Sequence, residues 1–438
     1  ARSVRALVDR VDADRLVAAL CPLVGLAGDT IPAQEAESAW RRFLVAMAAR
    51  APTVLVFEDL HWADEPMLRF IELLAASAKH VPLLVLTTSR PQLVERDASW
   101  AGVITGSLTI TLTPLRGSGI AKLYGHMLGQ AAFAADLLRP LVELAGGNPL
   151  YAQEYVRMVL ERRALERAGD GLDGLGLPMP DSVHAVIANR VDLLDPADRA
   201  ALQAAAVVGM QFWPGAVAAA VGRPVEAVER SLRRLEQREF IAEQAESTMA
   251  GESEYRFRHV LVRDVCYQRL PRTERVARHE RTARWLEERT GGRDTDLAEV
   301  LAHHRWAAHE IARTLGEEAA RSRAPAARAA LYLAARRACT LHALDAAAAH
   351  IGRALSLVAP GDPEPERLRM ELLATEISFY RDQAAFLEGD GTSQLRTLAD
   401  RLTELGERAD AARAWTLLGQ ASWLRLDRTT ALTCLGRS

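Results

Sequence analysis

The stretch VLVFEDLHWAD, Val54 to Asp64, runs four apolar residues into two adjacent carboxylates, Glu58 and Asp59, then a Trp and a third acid. Acids delivered together by one strand suit metal-assisted chemistry. Magnesium on a nucleotide takes an oxygen ligand, usually through water, and an attacking water needs a neighbouring base. In an open α/β sheet, ligands bind beyond the carboxyl ends of the strands, where these two acids fall. A strand end that merely carries a helix-capping acidic turn is the plainer alternative.

The surrounding elements are legible from their periodicity. ESAWRRFLVAMAAR predicts a helix with Trp40, Phe43, Leu44 and Met47 on one face. TVLVFED follows as a strand whose continuous apolar character suits a parallel sheet covered on both sides. Asp64 can cap the next helix, Pro66 fits its first turn, and Met67, Phe70, Ile71 and Leu74 form its stripe. VPLLVLTTSRP reads as a second buried strand and SLTITLTPL as a third. The second would place Thr87, Thr88 and Arg90 near a γ-phosphate. Such a layer is an α/β arrangement.

Beyond residue 116 the pattern is helical. GNPLY marks a helix junction, and the Gly-rich AGDGLDGLGLPMP (168–180) reads as a linker. Several short helices then lead to two strand-like pieces, FIAEQ and EYRFRH, the pattern of a winged helix. Residues 296–438 read as Ala-rich helical hairpins. Leu331, Ala334, Ala335, Ala338, Ala347, Ile351 and Ala354 match tetratricopeptide spacing, as do Trp415, Leu418, Gly419, Ala431 and Leu435. An irregular α-hairpin array is the alternative. The expected domains are therefore a partial P-loop core at 1–115, a helical lid at 116–167, a winged helix at 178–290 and an incomplete helical array at 296–438.

An apolar strand ending in paired acids is the Walker B arrangement of P-loop ATPases. Its companion, G-x-x-x-x-G-K-[ST], needs a lysine to reach the phosphates. The chain has only Lys79, in SAKHV, and Lys122, in IAKLY, and neither sits among the required glycines. Either the Walker A loop precedes Ala1 or a nucleotide is not held in the usual way. A start at Ala1 and a stop within TALTCLGRS read as the ends of a fragment.

Other features bound the function. The length of 438 residues predicts two to four domains, and a net charge of -3 argues neither for nor against nucleic acid. Cys21, Cys266, Cys339 and Cys434 are too scattered for a metal site and fit a cytosolic, reducing setting. No apolar run suggests a membrane span or signal peptide. In PVEAVERSLRRLEQREF, Arg230, Arg233, Arg234 and Arg238 are balanced by Glu226, Glu229, Glu236 and Glu239, which argues against direct contact with nucleic acid. Arg272, Arg275, Arg278, Arg281 and Arg284, spaced by three, read as a solvated face.

VLVFEDLHWAD, LLVLTTSRP, LVELAGGNPLYAQEYV and EYRFRHVLVRDVCYQRLPRTERVARH, in that order, resemble the signal-transducing STAND ATPases of bacteria. The likeness is to the ATPase and tetratricopeptide region that follows an adenylate/guanylate cyclase domain, and to large LuxR-type regulators. It implies ATP or ADP with Mg²⁺, Glu58 on the metal, Asp59 as catalytic acid/base and Arg90 as sensor. It further implies Pro149 and Gly147 at the adenine, and His259 at the β-phosphate of ADP. Val260 stands where that last motif carries an acid, so a core His remains the alternative. The implied activity is a nucleotide switch with ATP hydrolysis, acting on a fused cyclase. The alternatives are a transcription regulator with a DNA-binding domain beyond Ser438, or a nucleotide-free scaffold. An unidentified protein or small molecule on the helical repeats is the implied signal. Such proteins often oligomerise when active.

Overall fold

The computed structural model describes residues 4, 10–21, 33–96, 100, 106–128, 141–168, 182–249, 251–290 and 297–437. They are mostly helical, with two small sheets. The chain divides into two compact units, one of residues 1–111 and 332–438, the other of 112–293 and 297–331.

In the first unit, helices α1 (Arg10–Leu20) and α2 (Ala33–Arg50) pack together through Val4, Leu16, Ala19 and Ala39. The indole of Trp40 donates to the Ala19 carbonyl at 2.9 Å. Strands β1 (Thr53–Phe57) and β2 (Leu83–Thr87) pair in parallel, with Thr53 opposite Leu83 and Phe57 opposite Thr87. The crossover is α3 (Glu65–Ser77), followed after β2 by the short α4 (Gln92–Arg96). Asp64 caps α3 as its sequence suggests, accepting from the Met67 amide at 3.0 Å, with Pro66 in the first turn.

Three expectations for this layer change. The buried stripe of α3 is Leu68, Ile71 and Leu74; Met67 points to solvent and Phe70 is only half-buried. Among the described residues the sheet is covered on one face only: Val54 is 59% exposed and Leu86 51%, with Val56 and Leu84 between. Successive strand residues face opposite sides, so covering one face leaves alternate residues open. SLTITLTPL is not a strand. It pairs with neither sheet, and Leu108, Ile110 and Leu112 are exposed. Its alternation matches a pleat, but backbone groups without a partner strand cannot make a ladder.

The rest of the first unit is helical. Helix α15 (Ala324–Thr340), whose first residues belong to the second unit, is followed by α16 (Leu344–Ser356), and α20 (Arg408–Leu424) and α21 (Arg428–Leu435) form a hairpin. Between them lie α17 (Glu364–Arg381), α18 (Gln383–Glu388) and α19 (Gly391–Glu404). The small residues picked out by their spacing, Ala334, Ala335, Ala338, Ala347 and Ala354, are buried, as is Leu331. A Cβ on Gly419 would stand 3.0 Å from Leu435 Cγ, so glycine there lets α20 and α21 approach closely.

The second unit contains α5 (Gly117–Leu128) and α6 (Pro149–Ala168), packed through Ile120, Tyr124, Tyr151 and Tyr155. The stretch 169–180 of the expected linker lies outside the described residues. There follow α7 (Val183–Asp192), α8 (Pro196–Val208), α9 (Pro214–Val221) and α10 (Val225–Gln237). Strands β3 (Gln211–Phe212), β4 (Ile241–Glu243) and β5 (Tyr255–Phe257) form an antiparallel sheet in the order β3-β5-β4. The short β3 gives no signal in the sequence. These elements share one core built on Leu202, Phe212, Val217, Leu232, Phe240 and Phe257.

Helices α11 (Val260–Gln268), α12 (Arg272–Thr290), α13 (Ala298–Arg313) and α14 (Glu317–Arg321) complete the unit. The arginines of α12 are not a uniform solvated face. Arg278 is buried, its Nε on Glu274 at 2.8 Å, and Arg275 donates to the Leu270 and Gln268 carbonyls at the end of α11. A guanidinium can satisfy exposed helix-end carbonyls, which draws it onto the protein surface.

Candidate functional site

At the carboxyl end of the parallel pair, β1 and β2 stop at the same level because Phe57 lies opposite Thr87. Thr88 then fastens the exit of β1. Its amide donates to the Phe57 carbonyl at 2.9 Å, its hydroxyl accepts from the Asp59 amide at 3.1 Å, and its carbonyl accepts from Leu60 at 2.9 Å. Asp59 adopts a left-handed conformation, φ 58° and ψ 39°, a region where Asp is less penalised than most residues. The chain thereby turns sharply into a short 3₁₀ helix, Leu60–Trp62. Arg96 of α4 pins that turn by donating to the Ala63 carbonyl at 2.7 Å.

Glu58 and Asp59 are both exposed. Arg90 is exposed too, two residues beyond Thr88, and its carbonyl accepts from the Leu93 amide at 3.1 Å. Asp59 and Thr88 are thus joined by a hydrogen bond, while Glu58 and Arg90 occupy the two loops that leave the same strand ends. Lys79 follows α3, which carries the chain back to the amino end of β2. It therefore stands at the opposite end of the pair from the acids.

One residue here escaped sequence reasoning. His61 has a side chain only 6% exposed, 3.9 Å from Asp59 through Nδ1, with neither ring nitrogen hydrogen-bonded among the described residues. Trp62 beside it is 80% exposed. Nothing in LHWAD distinguishes a His turned inward from one turned outward, since a 3₁₀ turn has no long periodicity to read.

The other three predicted residues lie in the second unit. Gly147 has φ +79°, and a Cβ there would sit 2.6 Å from Pro114 Cβ and 2.7 Å from the Leu115 carbonyl oxygen. Glycine is therefore required by the chain's own Pro114–Leu115 segment, which also bonds through Leu115 N to Gly147 O at 2.9 Å. Pro149 opens α6, where a missing N–H costs nothing. His259 stands at the N-cap position of α11, without a side-chain capping bond, and is half-buried. Burial pushes its imidazole below the ordinary range; Glu154 pulls the other way, and Arg157, Arg258 and Arg190 add to the depression. His259 is thus in the electrostatic neighbourhood of α6, the helix that Pro149 begins.

The reason is a buried ionic hub. Arg190 of α7, completely buried, binds Glu154 and Glu161 of α6, the latter at 2.6 and 3.2 Å. It also donates to the Arg238 carbonyl at 2.8 Å and lies 4.2 Å over the Phe240 ring. Arg157 bridges Glu154 at 2.6 Å and reaches Glu239. Burial disfavours the Arg190 cation, but Glu161 and Glu154 outweigh it and keep the guanidinium charged. Its sequence signal was available: Arg190 follows Val186 and Ile187 at helical spacing, on an apolar face where a charge must be paired.

No protein family matches the sequence. An uncharacterized protein of Rhizobium meliloti (strain 1021) is 28% identical over 260 residues, covering 57% of this chain and 24% of that protein. The chain thus spans about a quarter of the curated relative it matches. Among solved structures, one that resembles it is a Signal Transduction ATPase with Numerous Domains (STAND) protein with a tetratricopeptide repeat sensor, from Pyrococcus horikoshii. The similarity covers 98% of this chain and 68% of that one, at 11% identity and a TM-score of 0.37. No described helix is long and apolar enough to cross a membrane.

Proposed function

We propose that the chain is part of a nucleotide-dependent signalling switch of the STAND ATPase class, regulating a fused adenylate/guanylate cyclase. The observation that carries the reading is the acidic end of two parallel strands, with Asp59 held to Thr88 across them. In this reading Glu58 serves Mg²⁺, Asp59 acts as acid/base toward water and Arg90 senses the γ-phosphate. Gly147 and Pro149 face the adenine, and His259 faces the phosphate of ADP. The helical hairpins receive the signal.

The acids suit the metal side of a magnesium nucleotide. Among the described residues no three His, Cys, Asp or Glu side chains are grouped to cage a metal, so the ion would rest on nucleotide and water as well as Glu58. The phosphate side has no Lys-bearing Gly-rich loop among the described residues. Tight binding therefore needs a P-loop supplied from elsewhere in a longer protein, and the isolated 438 residues should bind Mg-ATP weakly or not at all. Calorimetric titration checks this, and tight binding by the chain alone would overturn it.

In a longer protein carrying the P-loop, ADP should protect residues 54–64 and the segments around Gly147 and His259 from hydrogen exchange. Asp59→Asn should suppress hydrolysis more than binding. Absence of protection at both places would refute the switch and favour a nucleotide-free scaffold.

A further inference from the structure

A second buried polar cluster lies away from these residues, where α11, α12 and α13 meet. The Tyr267 hydroxyl is 3.0 Å from His279 Nε2, and His279 Nδ1 is 2.8 Å from His304 Nδ1. His279 is 1% exposed and His304 is completely buried. The His304 ring also faces the backbone carbonyl of Val208 in α8, although its Nε2 makes no hydrogen bond of good geometry.

The Val208 carbonyl favours one direction for the chain of hydrogen bonds. A carbonyl can only accept, so an N–H of His304 turned toward Val208 would be on Nε2, because Nδ1 is taken up by His279. His304 Nδ1 is then the acceptor and His279 Nδ1–H the donor. His279 Nε2 accepts in turn from the Tyr267 hydroxyl. One proton fits between the two Nδ1 atoms, and a second would force two N–H groups together.

The charged groups around this chain oppose any added proton. Arg263 and Arg275 lie over the Tyr267 ring at 5.6 and 4.8 Å. Arg263 pairs with Asp264 at 3.2 Å, and Arg275 is spent on the carbonyls ending α11. Arg278, one residue before His279, is directed to Glu274 and the Ala200 carbonyl of α8. On α13, the His303 ring centre is 6.0 Å from that of His279 and 5.4 Å from that of His304.

We propose that the Tyr267–His279–His304 chain is an acid-released clasp, holding α11, α12 and α13 together while both imidazoles are neutral and parting α12 from α13 when either gains a proton.

Burial, then His303, Arg263 and Arg275, push His279 down to about 3, and burial, then His279 and His303, hold His304 well below its ordinary value. Released imidazoles titrate near 6.5. The clasp therefore contributes its full stability above about pH 6.5, and each imidazole favours the opened form by about tenfold per pH unit below that.

Hydrogen exchange of the full chain between pH 7.5 and 4.5, corrected for intrinsic rates, tests this. Opening of α12 and α13 should rise on the order of 100-fold per imidazole between pH 6.5 and 4.5, relative to α10. The double variant His279→Gln, His304→Gln should lose that excess. Should it not fold, ring nitrogen shifts of the unaltered protein decide: Nδ1–H on His279, Nε2–H on His304, and neither titrating near 6.5 in the folded form. The opposite tautomers, ordinary titration of either ring, or equal pH response in α10 and α12–α13 would overturn the clasp.

Discussion

The two ends of the proposed switch are built on opposite physical principles. At the β1–β2 strand end the acids are exposed, one sheet face is uncovered among the described residues and the turn hangs on the hydrogen bonds of Thr88. Around α6 and α7 the charges are sealed: Arg190 is fully buried and Glu154 is 1% exposed, with their partners supplied by the chain itself. Exposed carboxylates can be reached by a ligand and contribute little to stability. Buried ones hold elements together, and their pairing leaves nothing over for a ligand. A charge can do chemistry or weld helices, but burial and pairing set which.

Substitutions can break or sharpen that contrast. Arg190→Ala should have the largest effect, about 3–5 kcal/mol of unfolding free energy, because it takes the buried cation from Glu161 and leaves Glu154 with Arg157 alone. Urea denaturation measures it, and a loss below about 1 kcal/mol would mean the hub is not a weld.

Gly147→Ala should cost more than about 1 kcal/mol, since a positive φ and a 2.6 Å clash with Pro114 both oppose a Cβ. The same denaturation assay reads it, and hydrogen exchange should show the loss concentrated near Leu115. Thr88→Val should cost about 1 kcal/mol, the worth of one hydrogen bond, and should loosen the turn at Asp59 without disturbing the core. Smallest of all, Val56→Thr should lie within about 0.5 kcal/mol, as its side chain already faces solvent. A large loss there would show that the sheet face is covered in solution.

The strand-end acids were legible because an apolar run that stops in Glu58 and Asp59 is a local pattern. The cap at Asp64 was legible for the same reason, and so was the close approach at Gly419, where small residues recur at hairpin spacing. SLTITLTPL was misread because alternation establishes only that a segment could pair, while a strand also requires an edge to pair with. The solvated reading of Arg275 and Arg278 failed for a related reason: counting charges along α12 ignores the carbonyls that α8 and α11 bring to them.

Residue type and spacing by themselves determined the chemistry on offer: two acids at a strand end, no lysine in a phosphate loop, and helical hairpins with small residues at their crossings. Only the tertiary structure decided which charges stay open and which are sealed, and that His279 and His304 meet. Glu154 and Arg190 are 36 residues apart and His279 and His304 are 25 apart. Contacts across such distances depend on how whole helices pack, and burial then sets the ionisation and tautomer of each group. No window of sequence short enough to show a periodicity contains that information.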